Sequence, residues 1–312
     1  MDDFLFALNT VLPLLLMMGC GFFCRKIGVM SSELVKGVNQ LVFRVFLPVN
    51  LCLSVMKTPY DTPLGGTPFV LTLAGLTAVY VVMMFLMPRW EKDPRKIGVM
   101  VQGVGRGNYA FFGIPLVAML FPGQDTALAS LMVTVTIPVY NVMSVIALCA
   151  YGDEKPDIKK MVKSIVKNPL IIGTAAGYIL WSLRVQFPSF ISSTLTDLGK
   201  VATPLALFTL GGAIEFSSAK GHLKQLLIVA PLKLIVAPVI FVGLAVALGV
   251  RGVALACIYI AFGAPTAVSS YPMAQQMGAD GELSAEIVAV TSALCSVTTF
   301  LFVFLMKRAG LI

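Results

Sequence analysis

Apolar runs of about twenty residues recur ten times along this 312-residue chain, and a run of that length crosses the hydrocarbon of a bilayer as a helix. They fall at about 4–24, 34–56, 67–88, 97–121 and 126–151, then at about 169–184, 190–216, 224–249, 252–277 and 283–306. With 58% hydrophobic and 12% charged residues, the chain carries about half the charge of an average soluble domain. The fold class expected is an all-α membrane protein with ten transmembrane helices. The two acids of "MDDFLFALNT" stand where a secretory leader would be basic, so the first run is expected to be retained.

The formal charge of +8 does not point to nucleic acid, because the cations sit in short loops between apolar runs. Arg25, Lys26, Lys36, Arg89, Lys92, Arg95, Lys96, five lysines of "GDEKPDIKKMVKSIVKNP", Lys220 and Lys224 fall on one side of a ten-span chain. Lys57, Arg184, Arg251, Lys307 and Arg308 fall on the other. The positive-inside rule then puts the linker in the cytoplasm and both termini outside, as a multi-pass protein of the cell membrane. The acidic loop "MGADGELSAE" between spans 9 and 10 dissents from that pattern. Lysines 159, 160, 163 and 167 recur at helical spacing, which suits a short surface helix on lipid headgroups.

A shift of 156 residues lays Pro13 on Pro169, Gly21 on Gly177 and Pro48 on Pro204. A shift of 155 lays Asp125 on Asp280 and Thr136 on Thr291. The division expected is a first five-helix repeat at 1–151, a linker at 152–168 and a second repeat at 169–312. Five spans is an odd number, so the repeats would be inverted, which is a transporter architecture.

Two spans carry interruptions at matching places. Span 4 holds "GNYAFFGIP" and span 9 holds "AFGAPTAVSSYP", each with a Gly-x-Pro step: Gly113-Ile114-Pro115 and Gly263-Ala264-Pro265. Proline lacks an amide hydrogen and clashes with the preceding turn, so each helix is expected to break there and restart. Broken backbone at membrane depth survives only inside protein or beside a wet cavity. Ordinary proline kinks are the plainer account of the same residues.

These residues resemble a known family. "GNYAFFGIPL" followed by "PGQD" is similar to the signature of the auxin efflux carriers, and "GAPTAVSSYPMAQQMGAD" to that family's second-half motif. The resemblance runs the length of the chain, and the short linker matches the bacterial, malate-permease-like members. It implies a sodium/bile-acid symporter-like fold with crossing broken helices 4 and 9, and transport of auxin- or malate-like organic anions. By motif, Asn108 and Pro115 in the first break and Pro265 in the second would lie at the substrate site. The second break departs from the pattern by offering Thr266, Ser269 and Ser270 where an asparagine is expected.

Charge within spans is costly and marks function. Arg106 is the tenth residue of span 4, about 15 Å deep at 1.5 Å per residue. It reads as a substrate or gating residue, with a structural ion pair as the other reading. Arg44 lies on a stripe with Lys36, Gln40 and Pro48, facing either a cavity or a packing partner. Lys233 in span 8 is equally deep, bound either to substrate or to carbonyls of a broken helix. Ser130, Thr134, Pro138 and Asn141 share a face of span 5, where they can hydrogen-bond a carboxylate or a neighbouring helix.

No cofactor or metal is expected. The cysteines form no CxxC, and His222 is the lone histidine. No HExxH, GxGD or histidine-activated serine is present, which argues against an enzyme. The function expected is secondary transport of small organic anions by alternating access, in the lipid bilayer and without nucleic acid, with a homodimer left open. A sensor or receptor on a transporter fold, and a sodium-coupled symporter of organic anions, are the alternatives.

Overall fold

The computed structural model describes residues 13, 16–57, 66–113, 116–117, 120–121, 127–152, 162–163, 166–213 and 222–312. We label the helices α1 (16–26), α2 (Ser32–Met56), α3 (Thr67–Trp90), α4 (Pro94–Gly105) and α5 (Val133–Ala150, preceded by Ala127–Leu131). Then come α6 (Pro169–Ser182), α7 (Ser189–Ala213), α8 (Leu223–Ala247), α9 (Gly252–Gly263), α10 (Ser270–Gln276) and α11 (Gly281–Arg308). The described chain is all-helical apart from one isolated antiparallel bridge, between Gly107 and Thr266. Among the described residues, α2, α3, α8 and α11 are each long and apolar enough to cross a bilayer. This is a multi-pass membrane protein.

Polar caps fix where several helices begin. Ser31 Oγ accepts from Leu34 N, Asp93 from Arg95 N, Asn168 from Leu170 N and Asp280 from Leu283 N, satisfying amides with no helical partner. Asp93 and Asn168 are each followed by proline at the first helical position, where its missing N–H costs nothing. Three of the loops carrying α4, α8 and α11 share one face. Arg95 Nε donates to Gly278 O at 3.1 Å, Asp280 N donates to Arg95 O at 3.3 Å, and Lys224 Nζ donates to Trp90 O. The acidic loop between α10 and α11 thus lies against Arg95. At the other end of the molecule Gly252 N donates to Leu311 O at 2.8 Å, so the C-terminal residues sit beside the α8–α9 loop.

Helix pairs close on small residues, as association between spans requires. A Cβ added at Gly173 or Gly177 of α6 would lie 2.5 Å from Pro48 O or 2.7 Å from Cys52 O in α2. Gly21 of α1 is pressed in the same way on the Phe208 carbonyl of α7. The shift of 156 that lays Gly21 on Gly177 also lays Cys52 on Phe208, so the two contacts are one pair met twice.

In span 4 an interruption comes ahead of the Gly-x-Pro step, of which Ile114 lies outside the described residues. Helix α4 ends at Gly105, and Arg106 is extended, with φ −93° and ψ 111°. The chain turns π-helical over Tyr109–Gly113, so Gly113 lies past the break. Pro115 lies outside the described residues. In span 9 the helix ends at Gly263, and Ala264 is extended at φ −60° and ψ 150°. Two further π-helical turns, Val42–Phe46 and Leu232–Val236, stand two residues before Pro48 and Pro238, whose missing amides disturb the ladder. They hold Arg44 and Lys233.

Candidate functional site

The two interruptions are built against each other. Asn108 N donates to Pro265 O at 2.8 Å and Ala267 N to Arg106 O at 3.3 Å, making the short bridge between Gly107 and Thr266. Backbone groups freed by the breaks find side-chain partners. Thr266 Oγ1 donates to Gly103 O at 2.8 Å, Thr291 Oγ1 accepts from Thr266 N at 3.1 Å, and Tyr140 Oη donates to Ala261 O at 2.7 Å. That is the accounting a buried, non-helical backbone has to meet. Glycine is required at the crossing. A Cβ at Gly107 would lie 2.9 Å from Tyr140 Oη and 3.3 Å from both Ala261 O and Lys233 Nζ, and one at Gly105 would lie 2.5 Å from the Tyr80 ring.

Arg106 projects from this crossing and is 3% exposed. Its Nη2 donates to Asn141 Oδ1 at 2.8 Å and to Ser269 Oγ at 2.9 Å. Its Nη1 donates to Tyr140 O at 3.1 Å and Ser144 Oγ at 3.4 Å, and its Nε reaches Ser269 Oγ at 3.3 Å. Every one of these acceptors is neutral, and no carboxylate pairs with Arg106 among the described residues. Asn141 is held in turn by α6, donating from Nδ2 to Thr174 Oγ1 at 3.2 Å, while Thr174 bonds back to Leu170 O at 2.7 Å. Tyr80 Oη lies 2.8 Å from Ser144 Oγ and completes the shell behind the guanidinium.

A cavity of about 50 Å³ opens beside Arg106. Asn108, Tyr140, Asn141 and Ser269 give it polar walls, and Leu47, Leu51, Ile137, Thr203 and Ala206 close it from α2, α5 and α7. The sequence candidates thus divide. Arg106, Asn108, Asn141 and Ser269 meet around one cavity. Pro265 and Thr266 are buried in the crossing, bonded to backbone. Lys233, 1% exposed, packs against Gly107 and does not line the cavity. Ser270 is buried, with its hydroxyl unpartnered among the described residues. Arg44 is exposed in a separate cleft with Lys167 and Asn168. Thr134 lies within α5 and its side chain lies outside the described residues, as does Pro115.

Tyr140, Ser144, Thr203 and Tyr80 were not among the sequence candidates. Ser144 stands three residues beyond Asn141 on the same face of α5, and extending the polar stripe by one step finds it. Nothing in the sequence singles out Thr203. Helix α10, after the second break, has seven residues, so the local field comes from the Arg106 side chain more than from a helix end. Among the described residues no three His, Cys, Asp or Glu side chains cluster as a metal site, and no two of the six cysteines form a disulfide.

Comparison with known proteins finds relatives along most of the chain. The sequence model of a family described as "Membrane transport protein" matches residues 6–160 and 155–303. A protein of Rhizobium meliloti named "Putative malonate transporter" is 23% identical over 312 residues, covering 97% of each chain. A protein of Methanothermobacter thermautotrophicus named "Uncharacterized transporter" is 21% identical over 300 residues, covering 95% of this chain and 97% of its own.

Proposed function

The chain belongs to the membrane transport protein family, the auxin-efflux-carrier-like group, and from that premise we propose that it carries small organic anions across the bilayer by alternating access. One observation carries the reading: Arg106 is buried at the crossing of two interrupted spans, with neutral acceptors only, and opens on a cavity. A lone guanidinium at that depth costs about 3 kcal/mol on insertion scales. A carboxylate that displaces Ser269 Oγ from Nε and Nη2 would form a charge-assisted, bidentate pair, so the substrate supplies the counter-charge that no described side chain does. Asn108, Asn141 and Ser269 add hydrogen bonds without adding charge.

The cavity's size favours a short acid. At 10–15 Å³ per water, 50 Å³ takes about four waters. That is small for an indole ring, and the relative named for malonate is in keeping with a short acid.

The repeated glycine contact, Gly21 on Phe208 and Gly177 on Cys52, supports reading 1–151 and 169–312 as inverted five-helix repeats about a linker at 152–168. The twelve-residue helices α4 and α9, each ending in glycine at its interruption, support it too. In this arrangement the face bearing Arg95 and Lys224 is cytoplasmic and both termini are outside. No acid lines the cavity among the described residues, and Arg106 repels a cation, so transport follows the anion gradient and the membrane potential rather than sodium. Malonate uptake into proteoliposomes at fixed potential tests this, with sodium replaced by a large organic cation. Saturable uptake at an unchanged initial rate is expected. A several-fold loss without sodium, or no uptake of any short carboxylate, contradicts the reading.

A further inference from the structure

Helix α8 runs beside α4. The Val229 side chain comes within 3.1 Å of the point where a Cβ on Gly103 would stand. Four residues on in each helix, Lys233 Nζ comes within 3.3 Å of the corresponding point on Gly107. Val229 before it and Ala237 after it are buried apolar groups, and Lys233 between them is 1% exposed. A lysine is almost never so buried unless it is paired.

No acid pairs with this one. Among the described residues Lys233 takes part in no ion pair. The π-helical turn that holds it packs on α4, α9 and α11. The acids of α11, Glu282 and Glu286, stand at its amino end, and Glu286 Oε2 bonds to His222 Nδ1 at 3.0 Å. Helices α4 and α9 contain no acid.

Tyr140 links Lys233 to the central site. Its carbonyl oxygen accepts from Arg106 Nη1 at 3.1 Å, and its hydroxyl lies 2.9 Å from the Gly107 point that Lys233 Nζ approaches. The two cations thus stand toward opposite ends of one tyrosine. Tyr140 and Gly107 both line the cavity beside Arg106, so Lys233 lies one layer behind its wall. A monocarboxylate bound to Arg106 leaves one of two buried cations uncompensated, and a dicarboxylate balances both. At about 8 Å and an effective dielectric constant of about 20, one unit charge alters the binding of another about thirtyfold.

We infer that Lys233 determines specificity, making the site select a short dianion over a monoanion of equal length. It acts by its field through the Gly107–Tyr140 wall and does not touch the anion, while the dianion in turn holds the amine protonated. The inference rests on the organic-anion reading proposed above and narrows its ligand class to dicarboxylates.

Initial rates of malonate and propionate uptake into proteoliposomes at zero membrane potential test it, because these acids share a carbon count and carry two charges and one at neutral pH. The unsubstituted chain is expected to prefer malonate in kcat/KM by about tenfold or more. Lys233→Met, of similar length without the charge, is expected to lower that ratio about tenfold, through malonate more than propionate. Lys233→Arg, which keeps the charge, is expected to keep the ratio within about threefold. A purely structural lysine would lower both rates together, so an unchanged ratio in Lys233→Met overturns the inference. Equal uptake of the two acids by the unsubstituted chain also overturns it, and that result needs no variant. Uptake of neither acid by the unsubstituted chain defeats the organic-anion reading itself, whereas transport of both with an unmoved ratio defeats only the role of Lys233.

Discussion

Arg106 Nη2 donates to Asn141 Oδ1 at 2.8 Å, joining the interruption after α4 to the middle of α5. Asn141 is itself held to Thr174 of α6, so the guanidinium is aimed by a chain of neutral groups across three helices.

That chain makes Asn141→Asp informative. A carboxylate so close to Arg106 completes an internal ion pair and occupies the charge that an anion would use. The variant is expected to fold with unchanged or raised thermal stability and to lose malonate transport at least tenfold. Thermal unfolding and vesicle uptake on one preparation check both halves. Native-rate uptake by Asn141→Asp counts against Arg106 as the anion's partner.

Gly107 separates close approach from mere flexibility. Gly107→Ala puts a methyl 2.9 Å from Tyr140 Oη, and overpacking of that kind costs about 1–3 kcal/mol. Gly243 of α8 has nothing within 4 Å of its would-be Cβ, so Gly243→Ala is expected to be neutral or to stabilise by up to about 1 kcal/mol. Unfolding of the two variants side by side should show opposite signs. Equal effects would mean that the crossing is looser than its distances.

Much of this architecture is legible in the sequence, and the places where legibility stops are instructive. The apolar runs foretell α2, α3, α8 and α11, and depth alone picks out Arg106. Asn108, Asn141 and Ser269, named from motif and periodicity, lie with it around one cavity. The chain also leaves the helix ahead of Pro115, where it passes close to Tyr80 and Tyr140, while the step at Pro115 itself lies outside the described residues. Gly105 and Gly107 permit that passage, and no local signal ranks them above the proline. The stripe from Lys36 to Pro48 assumes 3.6 residues per turn throughout. The π-helical turn at Val42–Phe46 inserts extra chain and rotates the helix beyond it, so Arg44 does not join Leu47 and Leu51 at the cavity. Thr266 belongs with the site by sequence, but its hydroxyl is committed to Gly103 O.

The contact between Asn39 of α2 and Gln275 of α10 should open and close in each cycle if transport alternates about the crossing. In a cysteine-free background, Asn39→Cys with Gln275→Cys is expected to cross-link under mild oxidation and stop uptake. Reductant is expected to restore it. Full uptake by the cross-linked protein would mean that this seam does not move.

Glu91, in the loop between α3 and α4, gives a pH signature outside the bilayer. Burial raises its pKa, but hydrogen bonds from the Asp93 amide, the Gln225 side chain and the Lys92 amide, with the Lys96 charge, outweigh burial and hold it below the usual range. A depressed folded-state pKa stabilises the protein above the unfolded value of about 4.3 and ceases to do so as pH falls through the folded one. Glu91→Gln is therefore expected to lower thermal stability at neutral pH and to flatten its fall below about pH 4.3. Parallel melting curves of the two proteins from neutral to acid pH would remove Glu91 from the account.

The central claim is that Arg106 is the charge an organic anion meets. Initial rates of malonate uptake by proteoliposomes containing the unsubstituted chain, Arg106→Lys and Arg106→Gln test it most directly, once correct folding of each is shown by gel filtration. The account predicts loss of uptake in Arg106→Gln and partial retention in Arg106→Lys, which keeps the charge but not the planar fork. Uptake by Arg106→Gln at the unsubstituted rate would contradict it and leave the guanidinium a structural tie between α4, α5 and the second interruption.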